Sequence, residues 1–285
     1  MTRRQRLRAL VAERRGLVVP GAYDAVSARL VEQAGFPAVY MTGFGVSAAR
    51  LGLPDLGFAG LAEMVDQARN LASAVSIPLI ADADTGYGSA LQVRRTVQQY
   101  ELAGVAALHL EDQAAPKRCG HLAGKQVVPV EEFAGRIWAA VEARTDPDLL
   151  IIARTDAIAV TGFEDAVGRA AAAAQAGADV LFVEAPTSEA EIEALPRQLD
   201  RPLLFNYAPS GRSPLLPFAR LRALGYAIVI VPVELLFVAT RAMQRALAEL
   251  RDRDATLQDP ERHASFQEFC DLIGLPEQLE LGQRY

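Results

Sequence analysis

The feature that most constrains this chain is an alternation, repeated eight times, of a short apolar run with a longer helical stretch. The runs are rich in Val, Ile, Leu and Ala, which is typical of parallel strands covered on both faces. They occupy residues 16–19, 38–41, 78–81, 106–110, 149–153, 180–183, 202–205 and 226–231. Amphipathic or alanine-rich segments lie between them and predict helices. Eight such units in 285 residues favour a single (β/α)8 barrel of the TIM type.

A doubly wound α/β sheet is the alternative for strands that alternate with helices. Such a sheet usually carries a GxGxxG turn after its first strand, whereas this chain has Pro-Gly-Ala-Tyr-Asp at 20–24. We therefore predict a barrel over residues 1–250, with the apolar segment 235–250 as its eighth helix. Residues 251–285 are polar with scattered apolar side chains, and we expect a helical extension that docks on the barrel or on a neighbouring subunit.

The composition excludes several classes of protein. A net charge of −6 and a pI near 5.3, without any basic block, argue against a nucleic-acid partner. No stretch is apolar for long enough to cross a bilayer, and no signal-peptide core follows the basic amino terminus. The two cysteines, Cys119 and Cys270, are too few for a disulfide scaffold. We expect a cytoplasmic protein with reduced thiols and a small-molecule ligand.

Carboxylates follow two neighbouring predicted strands, at the ends where barrel enzymes carry their chemistry. Asp82 and Asp84 are two apart and so point the same way, and Glu111 on the next strand can reach the same volume. Three oxygen donors without His or Cys neighbours suit Mg²⁺, or Mn²⁺ in its place. The alternative is that these acids only cap the helices that follow. Because clustered acids repel one another unless a cation lies among them, we favour a metal site.

Other polar residues follow the remaining strands. Arg154 ends an apolar strand and should hold an anion, either the carboxylate of Glu184 or that of a substrate, although a structural ion pair would also explain it. Asn206 follows the seventh strand. After the second strand come four candidate residues for binding an anion through a glycine-containing turn, namely Tyr40, Thr42, Gly43 and Phe44. His109 lies partly inside the fourth strand and could be a core histidine.

The segment 117–125 differs in composition from the rest of the chain. Of 29 basic residues only Lys117 and Lys125 are lysines, and they flank Cys119 and His121. An exposed surface loop with an accidental cluster is the simpler interpretation. The functional one is that Lys117, Arg118 and His121 favour the thiolate of Cys119.

With these residues placed, the chain resembles the isocitrate lyase and phosphoenolpyruvate mutase superfamily from about residue 18 to residue 250. The strongest element is Lys-Arg-Cys-Gly-His at 117–121, which matches the signature K-[KR]-C-G-H of the lyases. Supporting motifs lie at 22–25, 52–55, 82–88, 110–113 and 153–156. The resemblance implies a barrel fold, and it implies a homotetramer in which subunits exchange the eighth helix.

The resemblance also implies the roles of individual residues. Asp84 would hold Mg²⁺, with Asp82 and Glu111 acting through bound water. The loop around Cys119 would be a mobile lid whose thiol protonates the departing carbanion. The implied catalytic residues are Cys119, Arg154, Glu111 and His121. The implied substrate-binding residues are Tyr40, Thr42, Gly43, Phe44, Asp55, Gly120, His121, Arg154, Glu184, Asn206 and Ser210.

The substrate that the resemblance implies is a 2-hydroxy di- or tricarboxylate such as 2-methylisocitrate, dimethylmalate or isocitrate. Its products would be pyruvate or glyoxylate and a succinate-type acid. Phe182 and Ile230 fall where methyl-tolerant lyases carry apolar side chains. Many relatives have a glutamate after the seventh strand, but this chain reads Asn-Tyr-Ala-Pro-Ser-Gly at 206–211, which makes Ser210 a candidate ligand for a carboxylate.

Three other functions compete with that of a carbon–carbon lyase. The first is chemistry at a phosphorus–carbon bond, as in the phosphonomutases, although the typical mutases lack the cysteine signature. The second is hydrolysis or decarboxylation of oxaloacetate. The third is a non-catalytic barrel that binds carboxylates, which the retention of acids, arginine and cysteine together argues against.

Overall fold

The computed structural model describes residues 1–120, 122–209, 211–253, 259 and 261–285. Eight parallel strands pair in chain order, and β1 also pairs with β8, so that the sheet closes into a barrel. The strands are β1 (Leu17–Ala22), β2 (Val39–Met41), β3 (Leu79–Asp82), β4 (Ala107–Glu111), β5 (Leu150–Thr155), β6 (Val180–Val183), β7 (Leu203–Asn206) and β8 (Ile228–Val231). The predicted (β/α)8 barrel is confirmed, and the doubly wound sheet is excluded.

Helices surround the barrel and follow its strands. They are α1 (Arg3–Ala12), α2 (Ala25–Gln33), α3 (Gly43–Val46), α4 (Leu61–Ala74), α5 (Ala90–Leu102), α6 (Val130–Ala143), α7 (Phe163–Gln175), α8 (Glu189–Gln198), α9 (Phe218–Ala223), α10 (Glu234–Arg253), α11 (Phe266–Leu272) and α12 (Leu275–Gly282). The 20 residues of α10 include no buried one, and the helix is too polar to count as a membrane span; within the described ranges no helix is long and apolar enough to cross a membrane.

The core has two parts because the side chains of each strand alternate between two faces. Outward-facing residues such as Ile151 pack against the helices. Inward-facing residues such as Ile80, Ile152 and Leu204 fill the interior of the barrel. The helix α1, which the sequence pattern did not predict, contributes the fully buried Leu7 to this interior cluster.

The arginines of α1 explain why a helix with so little apolar character packs there. Arg3 donates to the carbonyl of Val75 and Arg4 to that of Val105, both at the amino-terminal side of the barrel. Arg4 also lies 2.8 Å from the carboxylate of Asp146. The basic start of the chain is therefore bound to the barrel and closes its amino-terminal end.

Leu235 of α10, the eighth helix of the barrel, packs against the core, but none of the 20 residues of this helix is buried. An apolar groove of about 470 Å³ remains beside β1 and β8, between α2 and α9, where an eighth helix would close a regular barrel. Leu30, Phe36 and Phe218 are among its lining residues. In the extension, the carbonyl of Leu272 in α11 accepts a hydrogen bond of 3.2 Å from Arg29 of α2.

Candidate active site

The candidate site lies at the carboxyl ends of the strands, where the inward-facing positions change from apolar to polar. A residue two positions after an interior residue also points inward. On β5, the interior residue Ile152 is followed two positions later by Arg154, and on β7, Leu204 is followed by Asn206. The alternation of the strands therefore places these polar side chains one layer above the apolar interior.

A cavity of about 240 Å³ opens at this layer. The predicted site residues that line it are Tyr40, Thr42, Phe44, Asp55, Asp82, Cys119, Gly120, Arg154 and Asn206. Apolar side chains form much of the rest of the wall and include Leu122, Phe182, Ile230, Pro232, Val233 and Phe237. The predicted residues His121 and Ser210 lie outside the described residues. The cavity thus combines a charged floor with an apolar wall.

The floor of the cavity is a cluster of buried carboxylates that already holds one cation. The ammonium Nζ of Lys117 lies 2.5 Å from Oδ1 of Asp55 and 2.5 Å from Oδ1 of Asp84. Although burial opposes the charged form, the carboxylates of Asp84, Glu111 and Asp55 raise the pKa of Lys117 well above its ordinary value. Lys117 is therefore a buried cation within the predicted metal cluster and is not an exposed surface lysine.

Asp82, predicted to act on a metal through bound water, accepts hydrogen bonds from two backbone N–H groups. Its Oδ2 accepts the N–H of Gly43 at 3.2 Å and its Oδ1 accepts the N–H of Asp84 at 2.9 Å. A Cβ atom at Gly43 would collide with the carboxylate of Asp82, so this approach requires glycine. Thr42 accepts the N–H of Gly45 and caps α3. In this structure Gly43 thus binds a protein carboxylate, in the manner expected for a substrate anion.

The buried carboxylates of the floor are oxygen donors of the kind that a divalent cation binds. In the described part of the chain, no group of three or more His, Cys, Asp or Glu side chains is arranged to hold a metal ion. Yet burial raises the pKa of Asp84 to about 7 and that of Glu111 well above its ordinary value. Oε1 of Glu111 is buried without a hydrogen-bond partner among the described residues. Burial disfavours the ionised form of these carboxylates, and a divalent cation bound among them would stabilise that form.

Arg154 is bound mainly by a residue that the sequence analysis did not single out. Its Nε and Nη2 donate to the two carboxylate oxygens of Asp156 at 3.0 and 3.1 Å. Its Nη1 lies 3.4 Å from Glu111, and Glu184, the predicted protein partner, is farther away at 3.9 Å. Glu184 instead accepts hydrogen bonds of 3.2 Å from Asn206. Asp156 thus fixes the guanidinium at the edge of the cavity.

The histidine of β4 is a buried partner of Tyr40. The hydroxyl of Tyr40 lies 2.8 Å from Nε2 of His109, and the ring of Phe182 packs edge-on against His109. Burial lowers the pKa of His109 to about 4, so the imidazole is neutral near pH 7. The interpretation as a core histidine therefore fits its burial, and the histidine also orients Tyr40 at the cavity wall.

Residues 117–120 and 122–125 form a segment that lines the cavity and is bound at several points; we call these residues the lid. Gln113 holds its base by accepting the N–H of Arg118 at 2.9 Å and donating to the carbonyl of the same residue at 2.8 Å. The N–H of Cys119 donates to the carbonyl of Asp55 at 3.1 Å. At the far end, Nζ of Lys125 lies 2.9 Å from Oδ1 of Asp156. Both lysines of the chain thus belong to the lid and are buried.

Three residues of this site were missed by the sequence analysis as binding partners, namely Gln113, Lys125 and Asp156. All three stand inside motifs that the sequence analysis quoted or beside them. The signal that could have found Lys125 is the scarcity of lysine, since a chain that uses arginine elsewhere retains lysine only where a compact ammonium is needed. Their partners depend on the path of the lid, which no local pattern encodes.

Comparisons with known proteins show the family to which the chain belongs. The family model described as phosphoenolpyruvate phosphomutase matches residues 7–251. The chain is 44% identical over 280 residues to 2,3-dimethylmalate lyase of Eubacterium barkeri, and the match covers 98% of this chain and 97% of that protein.

Two solved structures of related enzymes are similar over nearly the whole chain. One is oxaloacetate acetylhydrolase in complex with 3,3-difluorooxalacetate, with a TM-score of 0.95, 39% identity and coverage of 99% of this chain and 96% of the other. The other is phosphonopyruvate hydrolase in complex with oxalate and Mg²⁺, with a TM-score of 0.90, 34% identity and coverage of 100% and 99%. The chain therefore belongs to the phosphoenolpyruvate mutase/isocitrate lyase superfamily and is one of its carbon–carbon lyases.

Proposed function

We propose that this enzyme is a Mg²⁺-dependent lyase that cleaves a 2-hydroxy dicarboxylate or tricarboxylate carrying an alkyl group. The products are a keto acid, pyruvate or glyoxylate, and a second, saturated carboxylic acid. The observation that carries the proposal is that Cys119 and Arg154 line one cavity beside a buried acid cluster. An acid, an anion-binding cation and a carboxylate base are the groups that such a cleavage needs.

Arg154 and Cys119 act on the two halves into which the substrate is cleaved. Arg154 binds the carboxylate of the half that becomes the keto acid, through Nη1 and the remaining N–H of Nη2. The hydroxyl proton passes to Oε1 of the ionised Glu111 carboxylate, which has no other hydrogen-bond partner among the described residues. The carbon–carbon bond then breaks, and its electron pair remains on the carbon next to the second carboxylate.

Cys119 completes the reaction by donating the proton of its Sγ to that carbon. The closed lid excludes water, which protects the carbanion and strengthens the electrostatic interactions within the cavity. When bound, Mg²⁺ supplies positive charge against the developing negative charge on oxygen. Asp84 and Glu111 would hold it directly or through water, with Asp82 and Asp55 beside them.

The apolar wall of the cavity supports an alkyl-bearing substrate. Leu122 of the lid and Ile230 of β8 both line it, and Phe237 lies with its ring centroid 6.2 Å from that of Phe44. A methyl or ethyl group placed against these side chains leaves water, which is favourable by about 0.8 kcal/mol per buried CH₂ group. Substrates without an alkyl group would not gain this binding free energy.

A panel of substrates tests the proposal. The enzyme is incubated with Mg²⁺ and dimethylmalate, 2-methylisocitrate, isocitrate, oxaloacetate or phosphonopyruvate, and the products are identified by ¹H and ³¹P NMR. We expect keto acid from an alkylated hydroxy acid. Release of oxalate and acetate from oxaloacetate alone would instead favour a hydrolase, and phosphorus products alone would favour the phosphonate chemistry.

We also propose that subunits exchange α10. None of the residues of this helix is buried, and Val238, Met243 and Leu247 are each more than half exposed. The apolar groove between α2 and α9 has the position and the chemistry to receive the same helix from a second copy. Mutual exchange buries both surfaces at once, as expected for an isologous interface, and supports the predicted homo-oligomer.

A further inference from the structure

The lid ends on Lys125, whose ammonium is buried and binds both the lid and the barrel. The side chain of Lys125 is only 1% exposed, although a lysine ordinarily keeps its ammonium in water. Its Nζ donates to the backbone carbonyl of Gly120, five residues earlier in the lid, and to Oδ1 of Asp156 at 2.9 Å. Lys125 therefore joins the lid to itself and to the barrel.

The partner of Lys125 is also the partner of Arg154. Asp156 accepts from Arg154 at 3.0 and 3.1 Å and is itself completely buried. Its backbone N–H donates to Asp112 at 2.9 Å, which fixes its position at the end of β5. One carboxylate thus holds both the arginine of the cavity and the end of the lid.

The backbone of the lid rests directly on that arginine. A Cβ atom at Gly120 would lie 2.5 Å from Nη2 of Arg154 and 2.7 Å from Cγ of Glu184. Gly120 follows Cys119, so the position of the thiol depends on whether Gly120 can settle against Arg154. The carbonyl that Lys125 holds belongs to this same glycine.

We propose that Lys125 is the positioning residue of the lid: through Asp156 and the Gly120 carbonyl, it couples the placement of Arg154 to the placement of Cys119. The lid closes stably only when Lys125 reaches Asp156, because the ammonium would otherwise be buried without a carboxylate. The pairing of Lys125 with Asp156 and the closed lid are then one and the same state. The reactive role of Cys119 rests on the proposed function, but the coupling does not.

The test follows the position of Cys119 without measuring turnover. In a Cys270→Ser background, Cys119 is the one remaining thiol, and its rate of alkylation by iodoacetamide reports how often the lid opens. Oxalate serves as the carboxylate probe. We expect oxalate to slow alkylation in the parent. In Lys125→Met, we expect alkylation to accelerate by about tenfold or more, since a buried ion pair has lost one partner, and protection by oxalate to be lost.

A matched control separates positioning from general stability. Arg144 also joins a backbone carbonyl, that of Leu149 at 2.8 Å, to a carboxylate, that of Asp179 at 2.5 Å, but at the opposite end of β5. Arg144→Met should lower the melting temperature while leaving alkylation of Cys119 and its protection by oxalate unchanged. Lys125→Arg, which keeps the charge, should recover part of the protection.

A second variant keeps the test decisive if Lys125→Met does not fold. Asp156→Asn keeps the shape of the side chain and removes the charge that Lys125 and Arg154 share, and it should show the same fast, unprotected alkylation. Parental alkylation in a folded Lys125→Met or Asp156→Asn protein would overturn the proposal. Failure of the enzyme to cleave any hydroxy acid would not affect it, so the two proposals fail separately.

Discussion

Substitution of Gly120 by alanine tests how closely the lid packs on the cavity. The added Cβ atom would lie 2.5 Å from Nη2 of Arg154 and 2.7 Å from Cγ of Glu184. Neither neighbour yields easily, because Arg154 is held by two hydrogen bonds to Asp156 and Glu184 by two from Asn206. The lid must therefore lift.

The size of the effect follows from the collision. Forcing one extra methyl group into a packed site typically costs about 1–3 kcal/mol. This cost corresponds to a fall of about 5- to 150-fold in the equilibrium constant for closing the lid. We expect kcat/KM for the hydroxy acid that the enzyme cleaves to fall by the same factor, and alkylation of Cys119 to accelerate. The barrel itself should retain its melting temperature, since Gly120 lies in the lid.

The matched control for this variant is a glycine with open space around it. A Cβ atom at Gly135, in α6, would meet nothing within 4 Å. Gly135→Ala should leave kcat/KM unchanged and stabilise the helix by roughly 0.5–1 kcal/mol. A Gly120→Ala enzyme with the parental kcat/KM and the parental alkylation rate would refute the packing of the lid against Arg154.

Four further variants test other parts of the account. Cys119→Ser should lower kcat by at least about 100-fold and leave oxalate affinity, measured by calorimetry, nearly unchanged; an unchanged kcat would remove Cys119 from the proton transfer. Asp84 has a left-handed φ of 47°, which asparagine also tolerates, so Asp84→Asn should keep the backbone in place. We expect this variant to bind Mn²⁺ about tenfold or more weakly by calorimetry, and an unaltered affinity would be the contrary result. Although burial opposes ionisation, Arg154 and Lys125 lower the pKa of Asp156 from 3.8 to about 2, so this group contributes stability above pH 4 that is lost as the pH falls through 2. Denaturant titrations should show about 2 kcal/mol of this loss in the parent and none of it in Asp156→Asn; equal acid sensitivity would contradict the pairing. Leu247→Asp, on the exposed α10, should reduce the mass found by light scattering, and an unchanged mass would argue against helix exchange.

The strands were predictable because most of their residues are buried on both faces of the sheet and are therefore apolar. The positions of Asp82 and Arg154 were predictable for a related reason, since both continue the inward-facing register of β3 and β5. The path of α10 was not predictable from its residues. Its apolar residues would look the same whether they packed on their own barrel or on a second copy.

The partners of the charged residues lay beyond the reach of the sequence. Lys117 and Lys125 stand eight positions apart in one loop, yet one binds Asp84 after β3 and the other Asp156 after β5. Which carboxylate each lysine reaches depends on how the lid crosses the barrel. The pairing of Arg154 with Asp156 was missed because the sequence analysis searched other strands for the anion, whereas it lies two residues farther along the chain.

The most direct test of the central claim is cleavage of an alkylated hydroxy acid in D₂O, followed by NMR. We predict that pyruvate or glyoxylate forms in equal amount with a second acid that carries one deuterium at the carbon released from the broken bond. We also predict that Cys119→Ser forms neither product at a comparable rate. Absence of keto acid from every hydroxy acid of the panel, with Mg²⁺ present and the fold intact, would contradict the central claim.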